Sequence, residues 1–224
     1  MDAGPVVAIA VFTLLIAAGQ YLFPGRAERI KRALAAEPRA LVADAEGTVR
    51  LTGRVRRIGD LLQSPLSGRL CVAFEMLVSA KTNPVSPGAP PWLNLVETQE
   101  ACPFLVADES GEARVDTSGP FRLAVVHDRR GTTSWLDEYP GKHQELALYL
   151  EAAGVITTGW HGRWKAFHYR EGVIVEDQVV TVGAATVHEP DPTVRSDPRS
   201  VPERLVVRGS EDSPLLISGA RVED

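Results

Sequence analysis

Hydrophobic and polar positions divide the chain into an unbroken apolar run and a longer, alternating remainder. From Val6 to Phe23 the residues VVAIAVFTLLIAAGQYLF continue for eighteen positions without a formal charge, and Gln20 is the one strongly polar member. A helix rising about 1.5 Å per residue needs roughly 20 apolar residues to cross about 30 Å of hydrocarbon, so this run with its flanks lies at the short end of the spanning range. Backbone polar groups in lipid must be satisfied within the segment, which makes such a span helical. Pro5 suits a first helical turn and Pro24-Gly25 supplies a stop. Tyr21 and Phe23 bring rings to the interface. The pattern predicts a single transmembrane anchor within residues 1–25.

A cleaved signal peptide competes with this reading, and Ala17-Ala18-Gly19 resembles a cleavage site; the leader Met1-Asp2-Ala3-Gly4 lacks the basic charge that such peptides carry. A buried core helix would be shorter or more polar on one face. A lipoprotein would need a cysteine near the start, and the chain has none there.

After the run, Ala27 to Ala36 (AERIKRALAA) places Ala27, Ile30 and Leu34 on one helical face, which predicts a juxtamembrane helix. Residues 26–46 form this helix and its linker. Period-two alternation then takes over: Thr48 to Thr52 with Val49 and Leu51 on one side, continued through Gly53-Arg54-Val55, then the apolar strand Cys71 to Val78. Lys81 to Trp92 (KTNPVSPGAPPW) is dense in proline and glycine and reads as an exposed loop. Phe104-Leu105-Val106 and Ala113-Arg114-Val115 flank the hairpin turn Asp108 to Gly111, and Phe121 to Val126 follows. Gln144 to Ala153 is the one convincing helix of this part, with Gly154 as its C-terminal cap. Trp164 to Arg170 and Val179 to Val182 are predicted as long strands, joined around Glu171-Gly172 and Glu176-Asp177. The charged, proline-rich stretch from His188 to Pro202 is a loop or tether, and Leu205 to Val207 and Leu215 to Ser218 are closing strands. The expected fold is mainly β: a partly open β-barrel or sandwich with one short helix, preceded by the membrane helix. Its parts are a β-domain over 47–187, a proline-rich loop over 188–203 and closing strands with a tail over 204–224.

Charge sets the orientation. Arg26, Arg29, Lys31, Arg32 and Arg39 follow the apolar run closely and no basic residue precedes it, so the positive-inside rule places the C-terminal domain in the cytoplasm. The same residues can rest on anionic headgroups. An apolar fraction of 44% is globular, and a net charge of −5 argues against bulk nucleic-acid binding. Cys71 and Cys102 form no spaced metal motif, which excludes a RING or ribbon module; in the cytoplasm both stay reduced.

Chemistry is sparse. His161 and His168 stand seven apart, on opposite faces of a strand, and with Asp108 and Glu109 do not reach ligand spacing; no metal or cofactor is expected. Ser67 lacks the glycine of a nucleophile elbow and reads as a turn serine. Cys71 opens an apolar strand and reads as buried, with Arg69 the nearby cation that a reactive thiolate would use. Two basic clusters remain, Arg54 to Arg57 and HGRWKAFHYR. The second interleaves cations with rings, and Arg163, Trp164, Lys165, Tyr169 and Arg170 are its candidate interaction residues. Single-stranded nucleic acid on an OB-like barrel would suit it; a solvated face or headgroup contact suits the acidic chain better.

Ser64-Pro65-Leu66-Ser67-Gly68 followed by Cys71-Val72-Ala73-Phe74-Glu75, then Pro103 to Asp108, Gly111 to Val115, Glu171-Gly172-Val173-Ile174, Val179 to Gly183 and Pro214 to Ser218, come in an order that resembles the GIDE-type domain of the mitochondrial membrane-anchored ubiquitin ligases. The likeness covers about Gly47 to Ser218 and marks Pro65, Leu66, Ser67, Gly68, Cys71, Asp108, Gly111, Gly172, Gly183 and Ser218 as motif positions. It lacks the RING that gives those ligases their activity, and the second membrane helix. The resemblance therefore implies a membrane-adjacent β-domain that binds partners or substrates, not a ligase. The expected function is a recruitment or binding module at the cytoplasmic face, with no nucleic acid; the alternative is a hydrolase using Cys71 or Ser67.

Overall fold

A computed structural model describes residues 25–81, 92–158, 164–190, 203–220 and 222. The apolar run Val6–Phe23, the interior of the predicted 81–92 loop, residues 191–202 of the proline-rich stretch, His161 and Arg163 lie outside the described residues. Among the described residues no helix is long and apolar enough to cross a membrane.

In chain order the elements are α1 (Arg26–Ala36), β1 (Thr48–Arg57), β2 (Leu62–Gln63), β3 (Leu70–Cys71), β4 (Ala73–Lys81), β5 (Trp92–Ala101), β6 (Phe104–Ala107), β7 (Glu112–Asp116), β8 (Phe121–Ala124), β9 (Arg129–Thr132), α2 (Gln144–Ala152), β10 (Phe167–Ile174), β11 (Val179–Pro190), β12 (Glu203–Arg208) and β13 (Leu215–Ser218). Three are not among the strands expected from the sequence: β2, β5 and β9. Glu171-Gly172, expected as a turn, lies inside β10, and His188 to Pro190, expected in the loop, extend β11.

β1 pairs antiparallel with β6 through Arg54↔Ala107 to Arg57↔Phe104 and with β11 through Thr48↔Ala185 to Arg54↔Val179. β6 and β7 form a hairpin, β12 runs parallel to β7, and β11 pairs antiparallel with β12. These five strands close on themselves, so the barrel is closed rather than partly open. Numbered within the barrel, the strands run 1-2-3-5-4 around the circumference with the 3–5 pair parallel, the connectivity of an OB-type Greek-key barrel. Alternation in β1 sends Leu51 and Val55 inward to meet Phe104, Val106, Val115, Val182 and Val207, all fully buried. Each such side chain contributes roughly 1.5–3 kcal/mol through the apolar area it removes from water.

Two insertions leave this barrel, residues 58–103 after its first strand and 117–178 after its third. They meet to build a second sheet in the order β5-β4-β10-β9. Its inner face, with Phe74, Met76, Val78, Phe167 and Val173, packs on Leu146 and Leu150 of α2 and on Trp164 to make a second core. β13 extends the barrel sheet from β11 and carries β8 in parallel. α1 lies across this extension, burying Ile30 and Leu34 against Ala124. Gly183 permits the approach: a Cβ there would meet Leu34 Cδ2 at 2.6 Å.

Candidate functional site

Strand alternation places successive side chains on opposite faces, and the register of the inserted sheet aligns its outer residues into rows. One row crosses all four strands as Asn94, Ser79, His168 and Thr132. The next runs Glu97, Leu77, Arg170 and Arg130. Beyond it the face is covered. Gly172 abuts the segment after β8, where a Cβ would meet Val126 O at 2.7 Å. His127 Nε2 stands 2.9 Å from Glu75 Oε2, and Gln99 Nε2 donates to Glu75 Oε1. Arg26 reaches in from α1, donating to Gln99 Oε1 at 2.7 Å and pairing with Glu97. This network closes one half of the face; among the described residues the other half is uncovered.

The open half is a cleft of about 500 Å³ lined by Ser79, Trp92, Asn94, Arg130, His168 and Arg170, with Tyr169 and Gly131 at its margin. Trp92 stacks on His168 with ring centroids 3.5 Å apart and planes 19° from parallel. Ser79 Oγ donates to Asn94 Oδ1 at 2.7 Å on the floor. Arg130 and Arg170 face each other directly across β9 and β10, both exposed. Neither guanidinium has a hydrogen bond or ion pair among the described residues. Like charges directly opposite one another destabilise a sheet, so the fold itself gains nothing from this pair. What the arrangement can do is hold an anion: two planar guanidinium forks, an amide and hydroxyls, beside a flat stacked ring surface.

The sequence-predicted interaction stretch is split by the fold. Arg170 reaches the cleft; Tyr169, its neighbour, turns inward and packs against Gly131. Trp164 is a correction: it is 1% exposed, with its ring 4.8 Å from Tyr139 and 6.1 Å from Phe167, and belongs to the second core. Lys165 is exposed away from the lining, and its carbonyl accepts from Thr133 Oγ1 at 2.6 Å. Trp92, Ser79, Asn94 and Arg130 carry no motif; His168 and Arg170 could have been joined by their period-two spacing.

The motif positions serve architecture. Leu66 N donates to Glu171 Oε1 at 2.7 Å and Ser67 N to Glu171 Oε2 at 3.0 Å, so a fully buried carboxylate holds the Pro65-Leu66-Ser67-Gly68 turn from beneath. Arg129 donates to Leu66 O, Ser64 and Ser67 share a 2.6 Å hydroxyl contact, and Gly68 takes φ +64°. Cys71 is buried with its Sγ 3.7 Å from Leu62 O. Burial first, then Cys102 and Glu171, pushes its thiol up to about 11. That suppresses the thiolate a nucleophile needs. Asp108 accepts from Ser110 N, Ser110 Oγ and Gly111 N on one oxygen and from Val42 N at 2.9 Å on the other, tying the β6–β7 turn to the linker. Burial raises its carboxyl, but these hydrogen bonds outweigh that and hold it below the usual range. Ser218 Oγ donates to Ala220 O at 3.0 Å. Among the described residues no cluster of His, Cys, Asp or Glu is placed to hold a metal. No protein-family description, curated protein or solved structure matches this chain.

Proposed function

We propose that the chain is a membrane-tethered binding module, of the kind its GIDE-like motifs imply, whose open sheet face receives an acidic segment of a protein partner at the cytoplasmic surface. The observation that carries this is the Arg130–Arg170 pair, set across two strands of the cleft with no ion pair to either guanidinium among the described residues. Carboxylates of a partner would relieve the repulsion between the two guanidiniums and accept bidentate hydrogen bonds from them. The Trp92–His168 stack offers an apolar, rigid shelf for the flanking residues of such a segment. The tether is supported by the Val6–Phe23 run and by the basic residues that follow it.

The test uses the full chain in nanodiscs and fluorescein-labelled peptides, Asp/Glu-rich against Lys-rich, read by anisotropy. The acidic peptide binds in a salt-dependent manner, and Arg130→Ala with Arg170→Ala weakens it by about tenfold or more, as expected for two charge-assisted contacts. Equal affinity of wild type and double variant overturns the site. A substrate turned over by the wild type and not by Cys71→Ala would favour the hydrolase reading instead.

A further inference from the structure

A second cationic cleft lies where α1 crosses β8 and β13. It measures about 410 Å³ and is lined by Arg26, Arg29, Ile30, Ala33, Arg122 and Leu216. Arg26 is committed to Glu97 and Gln99. Arg29 and Arg122 are exposed, and neither guanidinium has a hydrogen bond or ion pair among the described residues. Arg122 stands beside Leu216 in the parallel β8–β13 pair, so an arginine from the helix and one from the sheet border the same hollow. Ile30, Ala33 and Leu216 supply its apolar lining.

We infer that this cleft seats the headgroup of an anionic phospholipid, the phosphate between Arg29 and Arg122 and the glycerol end against Ile30, Ala33 and Leu216. The assignment rests on the membrane placement proposed above. Two features select a lipid over free phosphate. The lining is half cationic and half apolar, which fits a group that is anionic at one end and hydrocarbon at the other. The helix bearing Arg29 begins three residues after Phe23, the last residue of the apolar run. Chain geometry then keeps Arg29 within about 15 Å of the end of that run, three residues of extended chain plus three of helix. Headgroups occupy several ångströms beyond the hydrocarbon on each side, and about 15 Å is the upper limit of the separation, so the cleft can lie within their reach. Arg122 comes from a strand nearly a hundred residues later. It converts a juxtamembrane basic stretch, which any anionic surface attracts, into a site of defined shape.

The test places the full chain in phosphatidylcholine nanodiscs and in mixed phosphatidylcholine–phosphatidylglycerol nanodiscs, with amide hydrogen exchange read over residues 26–36 and 121–124. Slower exchange in the anionic discs is expected for wild type. Arg29→Gln with Arg122→Gln abolishes the difference, while the Arg32→Gln variant, altered outside the cleft, keeps it. Each cleft arginine is worth about fivefold in affinity for anionic discs. Co-elution with discs but equal exchange in both kinds, or an unchanged double variant, overturns the headgroup site alone. The same protection from inorganic phosphate added to neutral discs overturns the lipid as occupant and leaves a phosphate site. Failure to co-elute with discs of either kind overturns the membrane placement, and the headgroup assignment with it.

Discussion

Glu171 shows how much one side chain can decide. It is fully buried, and both of its oxygens are used to hold the backbone of Leu66 and Ser67. Glu171→Gln keeps one acceptor and turns an amide donor towards a backbone N–H, leaving a buried donor without a partner. A loss of about 1–3 kcal/mol in urea unfolding is expected; an unchanged midpoint would mean that the turn is held by Arg129 and the serine pair instead. Cys71 makes a separate prediction from its burial. Its thiol ionises near 9 when unfolded and at about 11 in the fold. Between these values the unfolded chain has released a proton that the folded one still binds, so stability falls as pH rises through that window. Unfolding midpoints measured across pH 9 to 11 should fall less steeply for Cys71→Ala; parallel slopes would show that the thiol is not the group responsible. Asp108 works in the opposite sense. Its carboxyl is held below the usual range, so the stability it adds is present above the unfolded value and lost as pH falls through the folded one. Asp108→Asn should lose stability near neutral pH and differ little from wild type once both are acidified; a constant difference at every pH would assign its role to shape instead of charge.

At the scale of elements, α1 depends on Gly183. Its missing side chain leaves room for Leu34, which is fully buried. Gly183→Ala should raise amide exchange across residues 26–36 while the β6–β7 hairpin keeps its protection; uniform change across both would mean that the substitution acts on the barrel as a whole. Elements with a strong local period were legible in the sequence: α1 from Ile30 and Leu34, β1 from Val49 and Leu51, the β6–β7 hairpin from Asp108 to Gly111. The strands that build the cleft were not. β5 is an edge strand with Leu93 and Leu95 exposed, so no single face of it reads as apolar. β9 is four residues long, with glycine and two arginines, and exists because Arg129 to Thr132 pair with Glu171 to His168. Glu171-Gly172 looks like a turn on composition and is a strand because Val125 and Val126 need the space that Gly172 leaves. In each case the deciding contact is remote in sequence. The HGRWKAFHYR cluster was legible as cationic and aromatic, but only pairing partners reveal that Arg170 faces out while Tyr169 and Phe167 face in.

In the whole molecule, the two cores share strands. Ala73 and Ile174 belong to the barrel core, and the same two strands continue into Phe74 to Val78 and Phe167 to Val173 of the second core. Among the described residues, α2 covers the inner face of the inserted sheet, and the segment after β8 with Arg26 of α1 covers half of the outer one. The candidate cleft therefore exists only while the barrel positions β4 and β10, and the lobe should not persist once the barrel opens. All four tryptophans of the sequence belong to the two inserted segments, and the described Trp92 and Trp164 stand in the lobe, so their fluorescence reports on it while far-UV circular dichroism is dominated by strands of both parts. Denaturant titration followed by both signals should give one coincident transition, because a two-state unit shows the same midpoint to every probe. A fluorescence transition at lower denaturant would show the lobe melting from an intact barrel. Ligands of the Arg130–Arg170 cleft would then stabilise the lobe alone, shifting the fluorescence midpoint and leaving the barrel's unchanged. With coupled cores, the same ligand moves both signals together, and the size of that shift at a known ligand concentration measures the affinity of the cleft.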